Sequence, residues 1–216
     1  MKLLVRGRYN TENASMSHPW SKMASPATLE PVEVTARLTE EALYEVVNGQ
    51  RVELPPMSIY ASWITARLDH RLGPFAETHA LGTVVAEALF ILDAERDLRR
   101  RPDLAFVSSQ RWPLDRELPE SGDWTVVPDL AVEVVSPNDL LQDILAKMRE
   151  YFRLGVSQMW IVLPTERQVY VYTSPNDVRI LSSSEELDGG TLLPGLRLPL
   201  ASLFTRETPA QTPAAS

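Results

Sequence analysis

The chain has 216 residues, 44% of them hydrophobic and 23% charged, with a formal net charge of −8 and no cysteine. That length supports one domain with a full core, and the missing cysteines exclude a disulfide framework and a thiolate metal site. No apolar run is long enough to cross a membrane, and the first residues lack a signal-peptide pattern, so a cytoplasmic protein is expected.

Residues 1–30 show no periodicity and read as a flexible tail, as do residues 206–216 at the other end; a single domain is expected over 31–205. A helix is predicted from Thr39, capped there, with Glu40 and Glu41 at its positive end, Leu43, Val46 and Val47 on its apolar face, and Asn48-Gly49 as its stop. Arg51 to Leu54 reads as a short strand. A second helix spans Ser58 to Leu72 and ends at Gly73-Pro74. Gly82 to Leu92 reads as one strand. Asp93 to Arg100 reads as the turn of a hairpin into the strand Leu104 to Val107, and 108–124 as a loop.

Val126 to Val135 is the most apolar strand and is expected at the centre of the sheet. Ser136-Pro137 then reads as an N-cap with proline at the first helical position. The helix it opens carries a stripe of Leu140, Leu141, Ile144, Leu145, Met148 and Phe152, and ends at Gly155. Met159 to Leu163 and Val169 to Tyr172 read as neighbouring strands. Arg179 to Leu181 and Leu192 to Leu193 are weaker strand candidates, and Leu196 to Phe204 is expected to dock at the end. The alternation of helices with a mixed sheet is the α/β (α+β) class.

The chemistry lies in carboxylates within the apolar strands. Asp129 and Glu133 share one strand, but four residues at about 3.3 Å each put them roughly 13 Å apart. Neighbouring strands lie only about 4.8 Å apart, so Asp103 and Glu133 can meet if their strands pair. A carboxylate inside Ala-Val-Glu-Val-Val is costly to bury unless it is paired or bound to metal. Magnesium, or manganese, takes one or two carboxylates with water and phosphate completing its shell; Asp103 and Glu133 suit it, with the Val134 carbonyl as a third ligand. Asp143, Lys147 and Tyr151 recur every four residues along one helix edge, where Lys147 could orient water or neutralise developing charge, or could simply pair with Asp143 at the surface. Arg96, Arg99, Arg100, Arg101 and Arg111 form a basic patch able to offset the acidic balance, or a solvated turn. The three histidines, His18, His70 and His79, show no metal-ligand spacing. Trp160 and Tyr170 to Tyr172 read as core and sheet residues rather than a base-stacking platform.

From Leu38 to Phe204 the chain resembles the Uma family of restriction endonucleases, within the PD-(D/E)XK nuclease superfamily. The marks are Tyr44-Glu45 with Asn48-Gly49, Pro102-Asp103, Pro128-Asp129, and Glu133-Val134-Val135-Ser136-Pro137. They continue with Asp143, Lys147, Tyr151, Gly155-Val156, Trp160 and Leu193-Pro194-Gly195-Leu196. The resemblance implies a restriction-endonuclease-like mixed sheet flanked by helices, with its site at a sheet edge. It implies a magnesium-dependent cut in DNA, compatible with a homodimer, with Asp103 and Glu133 as metal ligands. The superfamily's lysine position is Val135 here, so its role passes to Lys147 on the next helix. Glu45, expected on the first helix, is the additional acidic residue, and Glu87 a further member. The chain departs from the family pattern at Leu163-Pro164, Gln158 and Ala61. A fold that no longer cuts and serves as a binding or assembly module, or that hydrolyses another phosphoester, fits the same residues.

Overall fold

The computed structural model describes residues 42–206 apart from residue 121, so the expected tails fall outside it except for residue 206. The chain opens with a hairpin, not a helix. β1 (Tyr44–Val47) pairs antiparallel with β2 (Gln50–Glu53) through Asn48-Gly49. Both turn residues have positive φ, 53° and 75°. Asn-Gly is the favoured sequence for such a turn because its twist matches that of the strands. Thr39, the expected cap, lies outside the described residues.

α1 (Ile59–Thr78) starts where expected, with Ser58 Oγ accepting the Ala61 N–H at 3.1 Å. It does not stop at Gly73-Pro74. A proline inside a helix costs about 3 kcal/mol, but Leu68, Leu72 and Ala76 continue one fully buried face across it. Burying a leucine returns about 1.5–3 kcal/mol, so packing carries the helix through.

The expected strand over 82–92 is two. β3 (Gly82–Ala86) and β4 (Phe90–Asp93) belong to different sheets, and the chain breaks between them at Glu87, whose φ is 51°. β4 turns back into β5 (Leu98–Arg100), not into β6 (Leu104–Ser108), which lies in the other sheet. A long loop leads to β7 (Leu130–Val134). α2 (Leu141–Arg153) then begins five residues after Ser136, and its N-cap Leu140 makes no side-chain cap bond. Ser136 instead donates its N–H to Asp139 Oδ2 at 2.7 Å, and its Oγ accepts the Ser58 N–H at 3.2 Å. Such local side-chain bonding competes with helix initiation. Leu140 and Leu141 are accordingly exposed, and the buried stripe is Ile144, Met148 and Tyr151.

β8 (Gln158–Leu163), β9 (Gln168–Ser174) and β10 (Asp177–Ser182) follow where expected, one to three residues longer. Leu192 and Leu193 form no strand. β11 (Glu186–Asp188) and β12 (Arg197–Pro199) pair around them, and α3 (Leu200–Phe204) ends the described chain.

The main sheet has the order β10-β9-β8-β7-β6-β3 and is antiparallel except for β7 and β8, which the crossover through α2 makes parallel. A second sheet runs β2-β1-β5-β4. Alternation along the central strands builds the layers. Leu104, Phe106, Leu130, Val132, Trp160 and Val162 pack on the side of α1 and α3, while Ala105, Val107, Ala131, Met159 and Ile161 pack on the side of α2. Both faces are covered, which is why these strands read as continuous apolar runs. Glu133 breaks the run on the α2 side.

Candidate active site

Register brings the two carboxylates together. Leu104 pairs with Val132 on antiparallel β6 and β7, so Asp103, one step before Leu104, lies across from Glu133, one step after Val132. Asp103 Oδ2 accepts the Val134 N–H at 2.5 Å. Burial and then the neighbouring Glu133 push the Asp103 carboxyl up to about 8. β6 and β7 are interior strands, so the site sits at strand ends and not along a lateral sheet edge.

Glu133 is 8% exposed and has partners on both oxygens. Tyr151 donates its hydroxyl to Oε1 at 2.9 Å, and Lys147 Nζ lies 3.3 Å from Oε2. Burial pushes the Glu133 carboxyl up, against the pull of Lys147. For Lys147, burial acts to remove the proton, but Glu133 and Glu45 outweigh it and the pKa ends above the ordinary lysine value. Lys147 is the more firmly ionised partner, because two carboxylates hold it. Burial and the same acidic neighbours raise the Tyr151 phenol well above its ordinary range, so it stays a donor.

Glu45 comes from β1, not from a helix, and is 2% exposed. Its Oε1 lies 3.0 Å from Lys147 Nζ and accepts the Arg101 N–H at 3.1 Å, and its Oε2 lies 2.6 Å from Arg100. Arg100 also holds Glu150 of α2 at 2.5 Å. Residues from both sheets and α2 thus form one network. With every group ionised, the three ion-paired carboxylates Glu45, Glu133 and Glu150 against the two cations Lys147 and Arg100 leave a charge of −1, and Asp103 adds a further carboxyl outside these pairs.

The network opens into a cavity of about 520 Å³ lined by Glu45, Asp103, Glu133, Val134, Asp143 and Lys147, among others. Asp143 is exposed at the rim, and the surface pair between Asp143 and Lys147 does not form, since Lys147 turns inward. Glu87 is exposed at the rim too. It lies after β3, not on a strand; its N–H donates to the Asp103 carbonyl at 3.2 Å and its own carbonyl accepts from the Arg101 guanidinium. Val134 uses its N–H on Asp103.

The expected basic patch dissolves. Arg96 pairs with Asp93, Arg99 with Asp97 and Asp123, and Arg101 bonds backbone carbonyls. Arg111 pairs with Asp129 at 2.8 Å. Asp129 also accepts the Ser108 N–H at 2.8 Å, which makes it a clamp on the long loop, distant from the cavity lining. Arg100 and Glu150 were not anticipated as site residues. The signal for Arg100 was its place in Leu-Arg-Arg, where a half-buried strand points every second residue inward.

Among the described residues, no group of three or more His, Cys, Asp or Glu side chains is arranged to hold a metal ion. The donor set fits a hard divalent cation nonetheless. Two carboxylates suffice for magnesium when water and phosphate complete the shell, and the excess of carboxyl groups over cations, with the Asp103 carboxyl raised to about 8, is what such a cation would relieve.

A family model described as "Putative restriction endonuclease", Uma2, matches residues 31–201. A crystal structure described as a putative nuclease belonging to DUF820, from Anabaena variabilis ATCC 29413, is similar with a TM-score of 0.66 at 17% sequence identity, over 74% of this chain and 89% of that one. At that identity the likeness is one of fold. No curated protein matches the sequence. Because one family model spans nearly all of the residues that build the sheets and the cavity, the chain belongs to the Uma2 family of restriction endonuclease-like nuclease enzymes.

Proposed function

We propose that the protein is an endonuclease that hydrolyses DNA phosphodiester bonds with the help of magnesium or manganese. The observation that carries this reading is the convergence of Asp103, Glu133 and Lys147 in one cavity of net negative charge. Asp103 and Glu133 would hold the ion, with Val134 beside them. When bound, it supplies polarisation of the phosphate and a lowered pKa for water.

The chain's own residues do the rest. Tyr151 fixes the Glu133 carboxylate by donating to Oε1. Glu45 and Glu133 keep Lys147 protonated and aimed inward, where its Nζ can donate to the attacking water or to the phosphate oxygen that gains charge. Glu45 acts through Lys147 and is a positioning residue; Asp143 and Glu87 frame the opening. A cytoplasmic setting and a homodimer that presents two cavities to two DNA strands belong to the same proposal. No helix among the described residues is long and apolar enough to cross a membrane.

The test is nicking of supercoiled plasmid with magnesium or manganese. Asp103→Ala and Glu133→Ala are expected to lower the rate at least about 100-fold, the scale of losing a group that acts at the transition state. Equal cutting by wild type and both variants would overturn the assignment. A second reading, a nuclease fold that binds without cutting, draws on the −8 charge and on the internal pairing of the expected basic patch. Calorimetry separates the two, because tight metal binding that depends on Glu133 speaks for the first.

A further inference from the structure

The outer face of α1 carries a second constellation. Tyr60, Trp63, Arg67, His70 and Arg71 follow at helical spacing along the flank of the helix beside the buried Ile64 and away from the buried Thr65 and Leu72. Trp63 stacks on Tyr60 with ring centroids 5.8 Å apart, and the Arg67 guanidinium lies 4.7 Å from the Trp63 ring centre. Arg67 also donates to the Ser202 carbonyl, and Tyr60 to the Phe204 carbonyl at 3.2 Å. These bonds and stacks fix the aromatic pair and the first cation in place. Beside them Trp63, Ala66, Arg67, His70 and Arg71 line a shallow cavity of about 230 Å³, with no carboxylate in its wall among the described residues.

His70 and Arg71 are exposed and have no ion pair among the described residues. Arg96, Arg99, Arg100 and Arg111 are each neutralised by an acid, whereas Arg116, Arg149, Arg153 and Arg179, like Arg71, make no ion pair among the described residues. Asp69 falls on another face of the helix. Glu77, the first acid to return to this face, comes six residues and about 9 Å after Arg71. In a chain of net charge −8, a cradle of three donor side chains with no acid among its described lining residues suits an anionic partner.

The nuclease reading says which anion. Met57 lines the large cavity, and α1 begins two residues later. Arg67 and Arg71 therefore lie about 15 and 21 Å from the cavity rim along the helix.

We propose that the outer face of α1 is a phosphate-backbone contact for DNA, in which Arg67, His70 and Arg71 hold a phosphate and the Tyr60–Trp63 pair holds Arg67 ready. This deepens the nuclease reading and rests on it for the choice of partner. Preorganisation matters, because a guanidinium already packed on an aromatic ring loses less freedom when the phosphate arrives. The contact is to the backbone, so it adds affinity and register without reading sequence.

The test uses the full-length protein in EDTA with a fluorescently labelled DNA duplex, and reads Kd by anisotropy over a series of salt concentrations. Arg71→Glu is expected to weaken binding about tenfold or more, and to lower the slope of log Kd against log salt by about one for each phosphate the protein no longer neutralises. His70→Gln is expected to weaken binding by less. Affinity and slope equal to wild type in Arg71→Glu and in the double variant His70→Gln/Arg71→Glu would overturn the proposal. Equally tight, Arg71-dependent binding of poly-glutamate would also overturn it, in favour of an acidic protein partner. Hydrolysis of bis(p-nitrophenyl) phosphate, too small to reach α1, is read in parallel and is expected to be unchanged by Arg71→Glu. If wild type fails to hydrolyse that diester and to nick plasmid, while Arg71-dependent duplex binding persists, the nuclease reading falls and the α1 contact stands.

Discussion

Glu133 is set between Val132 and Val134 on a strand whose other side chains are all apolar and buried. Its ionised form is tolerable there only because both of its oxygens have donors. Tyr151→Phe removes one donor and leaves Oε1 buried without a partner. The expected cost is about 1–3 kcal/mol of stability, the usual penalty for an unsatisfied buried polar atom. Urea unfolding measures it. A drop in plasmid nicking of about tenfold, with unchanged secondary structure, is expected alongside if Tyr151 orients Glu133. The sequence singled out Glu133 because a carboxylate among valines is costly, and it placed Tyr151 and Lys147 on one helix edge. It did not identify Arg100 or Glu150, because each of them takes its place in the network only through residues far away in sequence.

The strands that deliver the carboxylates depend on close backbone packing at one glycine. A Cβ built on Gly82 would lie 2.1 Å from the Val107 carbonyl oxygen and 2.7 Å from the Ser108 Cα, which are backbone atoms of the partner strand and cannot swing aside. Gly82→Ala is therefore expected to push β3 away from β6 and to cost roughly 2–4 kcal/mol, in the range of severe overpacking with backbone displacement. Thermal unfolding checks it, and nicking should fall as well because β6 leads from Asp103. The elements legible in the sequence were those with long runs of one pattern. β7, β8, β9 and the body of α1 could be read directly, since several residues agreed on each. The misread pieces were short. Leu43, Val46 and Val47 suit a helix face as well as a hairpin strand, and Asn48-Gly49 suits a helix end as well as a tight turn. Ser136-Pro137 looks like a cap, but Asp139 and Ser58 hold its N–H and hydroxyl in a different arrangement.

For the whole molecule, the excess of carboxyl groups at the site ties stability to pH and to divalent cations. The Asp103 carboxyl titrates at about 8 in the folded protein against an ordinary value of 3.8. The folded state thus holds a proton that the unfolded state has released across that interval. The resulting stability is complete below the ordinary value and is lost as pH rises toward about 8. Asp103→Asn has no such titration. In EDTA, wild type is expected to lose thermal stability relative to Asp103→Asn between about pH 4 and pH 8, and magnesium should restore wild type only. At a magnesium concentration 100 times its Kd the gain is about 2.7 kcal/mol. A constant difference in Tm across that pH range would show that Asp103 is not destabilised by its surroundings, and the same magnesium effect on both proteins would show that it is not a ligand.

The sequence alone determined the class of fold, the central apolar strands, and the unusual carboxylates that interrupt or precede them. These are local properties, set by side-chain period and by the cost of placing a charge among apolar neighbours. Tertiary structure decided the rest: the pairing of β6 with β7 that sets Asp103 across from Glu133, the arrival of Glu45 on a hairpin from the second sheet, and the inward turn of Lys147 away from Asp143. It also decided that the arginines flanking Asp103 serve internal pairs and not an open basic surface. Strand register and ion pairing join residues dozens of positions apart, and no local pattern in a single chain carries that information.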